Sequence, residues 1–533
     1  MRKSLLRFSP LLIALNAFSI NLPQPQATTN GDLSSQEIPK PLPIMWSNRE
    51  VGRYLPSALS PTGMLPRKSP YQSNKVLRMQ DAILLALRNN PDIQSADMQR
   101  VLDKFNFILA KRAFSPTFST LDFGITARNG EKNQYSALSP HMNWSTLTGT
   151  RVTLGYNQPI GTGERGSGDM EITQPLLQGL HENQWKWQDE KQQEQENKIA
   201  YQDKVESVVS GVMAGYLSLV QAKMNALLQK NNFHNLQKQY QFAKWRLQAG
   251  QISKSDFRQQ KSSFVSSEIS YTKQKDLLSE QYYDFTQTLG LGLNAKLVLP
   301  STLRKQLHAR SFPSYSTAIK NMLKHNNQYI LAKLDLLSQQ RQVEVARDQL
   351  KWGLSVSVDH HFGNDDSPGN ENNSGGSNDV AYAPSALNNS VFGGSKGDTS
   401  ASVNLSIPID NYDKKAGLVQ QRITYELAKI KLQQTKRQMI LNLKKDYDQA
   451  VSDKQQISLA KQNVYVKREV LADTELKYKY GQTTAFELGQ VQQDLLSAEQ
   501  DYVQSQVSYF LDIYKVNQDM GLGLSFWHIS LRY

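Results

Sequence analysis

Two nearly identical pentapeptides, "LGLGL" at 289–293 and "MGLGL" at 520–524, each end a long polar segment, and they stand 231 residues apart. A second pair of glycines, Gly250 in "LQAGQIS" and Gly481 in "YKYGQTT", has the same separation. Glycine is the residue type that stops a helix, and the Ser or Thr that follows is the type that starts the next one. Two stops per half, in step over 231 residues, therefore predict one helical unit written twice in the chain.

The two halves spell out that unit in the same order. Residues 79–113 carry Ile83, Leu84, Leu87, Ile93, Val101, Leu102, Phe105 and Leu109 at helical spacing, with Pro91 starting a second helix after a short first one. Residues 314–350 echo them, with Ala318 and Ile319 standing where Ala82 and Ile83 stood. The period then changes to two. "TFSTLDFGITA" and "TRVTLGYNQPI" (150–160) alternate in the first half, and "DMEITQPLLQG" carries the alternation on to Pro175. "GLSVSVDHHF" (353–362) and "ASVNLSIPI" (401–409) alternate in the second half, where Pro408 matches Pro175. Long helical segments follow, from about 180 to Gly250 and from about 412 to Gly481. Each is followed by a return helix, the first running from Ser253 to about Leu289. About 70 residues of helix extend roughly 105 Å, over three times a bilayer core of about 30 Å.

Two hairpins, four strands, are thus expected, with a Gly-, Asn- and Ser-rich loop at 363–398 between the last two. The residues outside the unit read differently. "MRKSLLRFSPLLIALNAFSI" has the charged start and short apolar core of a signal peptide, placed at 1–27 with cleavage after Ala17 or Ala27. A Pro-rich extended arm follows at 28–76, then a first repeat at 77–300, a second at 301–524 and a tail at 525–533. No later run of 18 apolar residues offers a transmembrane helix, so a membrane could be crossed only by a closed β-barrel. Four strands cannot close one, because single-chain barrels begin at roughly eight. Copies must pool their strands.

Other classes find little support. The chain has no Cys, which excludes disulfides and thiolate chemistry. The net charge of +13 is interspersed along the helices with no basic block, so a nucleic-acid partner is not expected. No nucleophile–base pair or phosphate loop is present: Lys396 in "GGSKGDTS" is followed by Gly. Neither an enzyme nor a cofactor is expected. His360 and His361 are adjacent in a strand and point to opposite faces, which disfavours a metal site. Tyr216, Phe233, Tyr240, Phe242 and Trp245 read as helix packing.

The duplicated order, the "AILLALRNNPDIQSA" opening, the prolines of "EITQPLLQG" and "LSIPIDN", and the "AGQISKSDF" and "YGQTTAFEL" turns resemble the TolC-like outer-membrane efflux protein family over roughly residues 79–524. That resemblance implies a mostly α fold with a small β part. It implies a duplicated helix-strand-strand-helix-helix unit, assembled as a homotrimeric α-helical barrel continuous with a 12-stranded outer-membrane β-barrel. The implied function is a passive exit duct for a tripartite efflux pump or type I secretion system of a Gram-negative bacterium. Its partners would be a periplasmic adaptor, an inner-membrane efflux or ABC transporter and outer-membrane lipid. The resemblance also implies a gate beside the turns, placing Asp256 and Glu487 at acidic positions and Gln490 where a second acid is usual. Gly250, Gln251, Gly481 and Gln482 become tip and adaptor-contact candidates, and Pro175 and Pro408 mark the strand-to-helix junctions. The turns read Ala-Gly-Gln and Tyr-Gly-Gln rather than the family's Val-Gly-Leu. The competing reading is a soluble, elongated periplasmic coiled-coil scaffold or adaptor. The ending "SFWHISLRY" alternates Trp527, Ile529, Leu531 and Tyr533, which suits either an assembly signal or a short strand packed on the tunnel.

Overall fold

The computed structural model describes residues 76–126, 134–160, 167–292, 295–300, 313–362 and 397–531, all within the unit Pro61–Tyr533. The signal peptide, nearly all of the Pro-rich arm, most of the 363–398 loop and Tyr533 lie outside the described residues.

Each half is built around one very long helix matched by shorter ones laid end to end. In the first half, α1 (Met79–Asn89) and α2 (Pro91–Arg112) lead into the sheet, α3 (Glu182–Gln248) leaves it, and α4 (Lys254–Thr288) returns. In the second half the same parts are α5 (Tyr315–His325), α6 (Asn327–Asp348), α7 (Tyr412–Lys479) and α8 (Ala485–Asp519). A four-residue α9 (Gly523–Phe526) ends the helices. The 67 residues of α3 and 68 of α7 give helices about 100 Å long. A 35-residue return helix covers about half of that, and the 11- and 22-residue pair cover the rest.

The joint between these stacked pieces explains the repeated pentapeptides. Gly290 (φ 68°) and Gly521 (φ 71°) end α4 and α8 in the left-handed region. A Cβ on Gly290 would sit 2.3 Å from the Asn89 carbonyl oxygen, and one on Gly521 2.3 Å from that of His325. The end of each return helix therefore abuts the break between the two entry helices. Asn90 caps α2 by accepting from Asp92 and Ile93, and its amide donates 2.8 Å to the Thr288 carbonyl. Asn326 donates 2.9 Å to the Asp519 carbonyl at the matching place.

The main core lies at this waist. Ile83 and Ala86 of α1, Val205 to Val220 of α3, Phe285 of α4 and Tyr514 of α8 are buried together. α3 is long and apolar enough to cross a membrane by length and composition, but most of its apolar stretch is buried inside the protein, as befits a core helix. The C-terminal residues pack here too. Phe526, Trp527, Ile529 and Leu531 lie against the core as a short helix and coil, and no strand forms in 523–531, so the expected strand is corrected. The positive φ of His528 (58°) breaks the alternation.

The sheet departs from the expected four strands. Among the described residues six antiparallel strands run in chain order: β1 (Thr117–Thr126), β2 (Gln134–Ser145), β3 (Arg151–Ile160), β4 (Ser167–Pro175), β5 (Gly353–Phe362) and β6 (Gly397–Ser406). The first half holds four of them, the second two. The two strands beyond the expected four are β4, whose alternation up to Pro175 belonged to neither expected hairpin, and β2, which lies between β1 and β3. Its Pro140 and irregular alternation read as loop, and proline enters a strand chiefly at a bulge. Here the register slips just there, between the pairs Phe118↔Met142 and Leu121↔Pro140.

Candidate functional site

The long helices carry helix turns at one end and the sheet at the other. At the turns, α3 closes with the Gly250 amide donating to Leu247 O (3.1 Å) and the Gln251 amide to Arg246 O (2.8 Å). α7 closes identically, Gly481 to Tyr478 O (3.1 Å) and Gln482 to Lys477 O (2.8 Å). Gly250 and Gly481 take φ of 71° and 72°, and a Cβ on either would meet open space. These glycines thus serve the turn alone, unlike those at the waist. The Arg246 guanidinium lies 5.9 Å over the Phe242 ring and 5.9 Å over the Tyr478 ring, joining the ends of α3 and α7.

The candidate gate acids Asp256 and Glu487 lie in the first turns of the two return helices, and each has a local partner. Ser253 caps α4, accepting from the Asp256 amide (3.0 Å) while its hydroxyl donates to the Asp256 carboxylate (2.8 Å). Thr484 caps α8, accepting from the Glu487 amide (3.2 Å), and the Thr483 hydroxyl donates to the Glu487 carboxylate. Both acids are exposed in the first turn of a return helix, where a carboxylate also complements the helix dipole. Gln490 donates 3.0 Å to Asp494, which pairs at 2.8 Å with Lys467 of α7. Hydrogen bonds from Lys467 first and Gln490 second hold the Asp494 carboxyl below the ordinary range. Asp494 is a charged group of this region that sequence reasoning missed; its signal was the spacing of four from Gln490.

The aromatic stripe divides. Phe233 and Tyr240 stack with Phe264 across α3 and α4, and Tyr216 is buried, as expected of packing. Phe242 and Trp245 are corrected: both are exposed, Trp245 at 66%. They lie two and five residues beyond Tyr240, which turns them roughly 200° and 140° away from the packed face. With Tyr480 (73% exposed) and Phe486 they leave a solvent-facing aromatic collar about the turns.

At the other end, the strands are nine to twelve residues long, matching the roughly 9–11 of a tilted membrane-spanning strand. Val358, Val403 (70% exposed) and Leu405 present apolar surface on one face, continued past β6 by Ile407. Trp144, Trp352 and Tyr412 are exposed as an aromatic rim where the sheet meets the helices. Sequence reasoning missed this rim because its members are scattered over β2, the lead into β5 and the start of α7. Pro175 ends β4, its register partner being Ser355, while Pro408 lies two residues past β6. The Gly179 amide donates 2.8 Å to Asp348, tying the start of α3 to the end of α6. His360 meets Thr399 of β6 (2.8 Å) and His361 meets Asp169 of β4, so the two histidines part to different strands.

The sequence model of the outer membrane efflux protein family matches residues 318–510. Among solved structures, the chain is similar to CusC at 14% identity (TM-score 0.61, covering 86% of this chain and 97% of CusC). It is similar to the CmeC outer membrane channel of Campylobacter jejuni at 15% (TM-score 0.59, 86% and 90%). VceC of Vibrio cholerae aligns at 13% (TM-score 0.59, 83% and 96%). No curated protein matches the chain in sequence. The chain therefore resembles the outer membrane efflux proteins in sequence over its second half and in fold over most of its length.

Proposed function

We propose that this protein is the outer-membrane exit duct of a tripartite efflux pump or type I secretion system. Three copies pool their sheets into a barrel in the outer membrane, and their long helices form a periplasmic tunnel whose tip docks an adaptor and an inner-membrane transporter. The chain supplies no chemistry of its own; it supplies a water-filled path, and the pump supplies the energy. One observation carries the reading: a single chain holds a membrane-length sheet with two open edges, fused to helices about 100 Å long. Open edges and exposed apolar strands are liabilities in a soluble protein. That disfavours the soluble scaffold, whose helices alone would be explained. The repeated glycine geometry at waist and tip supports an origin by internal duplication.

In this reading Asp256 and Glu487 line the tip, with Gln490 beyond them, and threefold copies of Glu487 make an electronegative ring that favours cations. Their capping bonds hold each carboxylate near its turn and leave it exposed. Gln251, Gln482 and the aromatic collar face the adaptor. The test is fractionation followed by planar-bilayer recording of the detergent-extracted protein. Recovery in the outer membrane with discrete conductance steps supports the duct. Release by lysis without detergent supports the scaffold instead.

A further inference from the structure

The added hairpin has a consequence for the barrel itself. We infer that β2 and β3 belong to its wall, so that three copies of the six-strand sheet close an eighteen-stranded barrel, with β6 of one copy pairing with β1 of the next. This rests on the trimeric-duct reading and changes its barrel from twelve strands to eighteen.

Edges come first. Every strand from β2 to β5 is paired on both sides, so among the described strands only β1 and β6 have a free edge. Within a bilayer each unsatisfied backbone group costs several kcal/mol, so both edges must find partners. β1 leads away from the helices and β6 leads back, so copies placed side by side bring them together antiparallel. A four-strand contribution would need β3 as the edge, and that requires breaking the β2–β3 ladder from Tyr135↔Ile160 to Ser145↔Arg151.

The hairpin is also built into the junction beneath it. Its turn closes with Thr146 N donating to Thr150 O at 2.8 Å. The amide of Asn183, in the first turn of α3, donates to Thr146 O (2.7 Å) and Ser145 Oγ (3.0 Å). The Trp144 indole donates 3.2 Å to Phe114 O just before β1. Gly149 takes φ 82°, and a Cβ there would lie 2.9 Å from Pro175 Cγ. The turn is thus seated on the β4–α3 junction, level with the strands on either side.

The β4–β5 seam joins the two halves with Pro175↔Ser355. β1 begins five residues after Arg112 and β5 five after Asp348, so Ser119 corresponds to Ser355, while Pro408 corresponds to Pro175. Carrying the seam over to two copies sets Pro408 opposite Ser119 of the next copy. The bulge in β1 between Phe118 and Leu121 then takes up one residue. Beyond it Leu121, Phe123 and Ile125 stand opposite Ile407, Leu405 and Val403, apolar position to apolar position. A slip of one residue would set apolar positions against polar ones throughout. Barrel diameter grows roughly in proportion to strand number, so the bore widens about 1.5-fold over twelve strands and falls in the range that leaves an aqueous channel.

Because the chain has no cysteine, engineered pairs report cleanly. Phe123→Cys with Leu405→Cys tests β1 against β6. Val152→Cys with Leu405→Cys tests the four-strand alternative, since Val152 stands level with Val358 across Ile172. Ile172→Cys with Val358→Cys is the within-chain control. The full-length protein is extracted as the trimer, oxidised and run on non-reducing gels. Chains linked through 123 and 405, with 152 and 405 unlinked, is the expected result. Linkage through 152 and 405, or no linkage between chains while the control pair forms, overturns the eighteen-stranded barrel and leaves the duct standing. A soluble monomer would overturn the duct reading as well.

Discussion

Four glycines with the same backbone conformation offer a controlled test of what the waist does. Gly250, Gly290, Gly481 and Gly521 all sit at φ between 68° and 72°. Replacing any of them by Ala carries the left-handed penalty of about 1–2 kcal/mol. At Gly250 and Gly481 that is the whole effect, because a Cβ meets nothing within 4 Å. At Gly290 the Cβ would lie 2.3 Å from the Asn89 carbonyl oxygen and 2.6 Å from its carbon, contacts that backbone must yield to. Yielding is hard there, because the Asn90 amide pins the same joint to Thr288 O at 2.8 Å. Overpacking of a fixed site adds about 1–3 kcal/mol, giving about 2–5 kcal/mol in all. The assay is thermal unfolding of Gly290→Ala and Gly250→Ala side by side in one detergent, followed by circular dichroism at one scan rate, since unfolding of large assemblies is commonly irreversible. Gly290→Ala should lower the midpoint about twice as far as Gly250→Ala, and Gly521→Ala should follow Gly290→Ala. Equal shifts at waist and tip would refute the close-packed joint.

The remaining predictions concern charge. Arg100 of α2 holds Glu194 of α3 in a buried pair, Nη1 at 2.9 Å, so Arg100→Met should destabilise by about 3–5 kcal/mol, while the double change with Glu194→Leu should recover most of it in the same melts. Glu206, buried in the waist and beside Asp203, has its carboxyl pushed up to about 7, so the folded protein holds an extra proton between about pH 4.5 and 7. Stability then falls as pH rises through that window, and Glu206→Gln should flatten part of the fall between pH 5 and pH 8. Burial also raises Asp512 to about 6 and Asp519 to about 7, and pushes Asp203 up, and these groups contribute to the rest of the fall. Glu487→Gln should reduce single-channel cation selectivity, and unchanged selectivity would remove Glu487 from the gate.

Much of the fold was legible because its signals were local. Pro91 stands at the first position of α2, and the four glycines end their helices within a residue or two of the expected places. β2 was not legible: Pro140 and the irregularity between Ser136 and Leu138 disturb the alternation that identifies a strand, and the strand shows itself in its ladders to β1 and β3. The candidate acids were found by their distance from the turn glycines. Their capping roles were equally readable, since "SKSD" and "TAFE" place Ser or Thr three residues before an acid. The aromatic collar and the aromatic rim were hidden for the opposite reason: each gathers residues from helices and strands far apart in the chain, and no periodicity marks them. Asp494 likewise shows its role only once Lys467 is brought across from α7.

The account stands or falls on assembly. The most direct measurement is the mass of the detergent-extracted particle, taken together with its conductance in a planar bilayer. The account predicts three chains and a stable ion-conducting pore. A monomer or dimer that conducts nothing would contradict it.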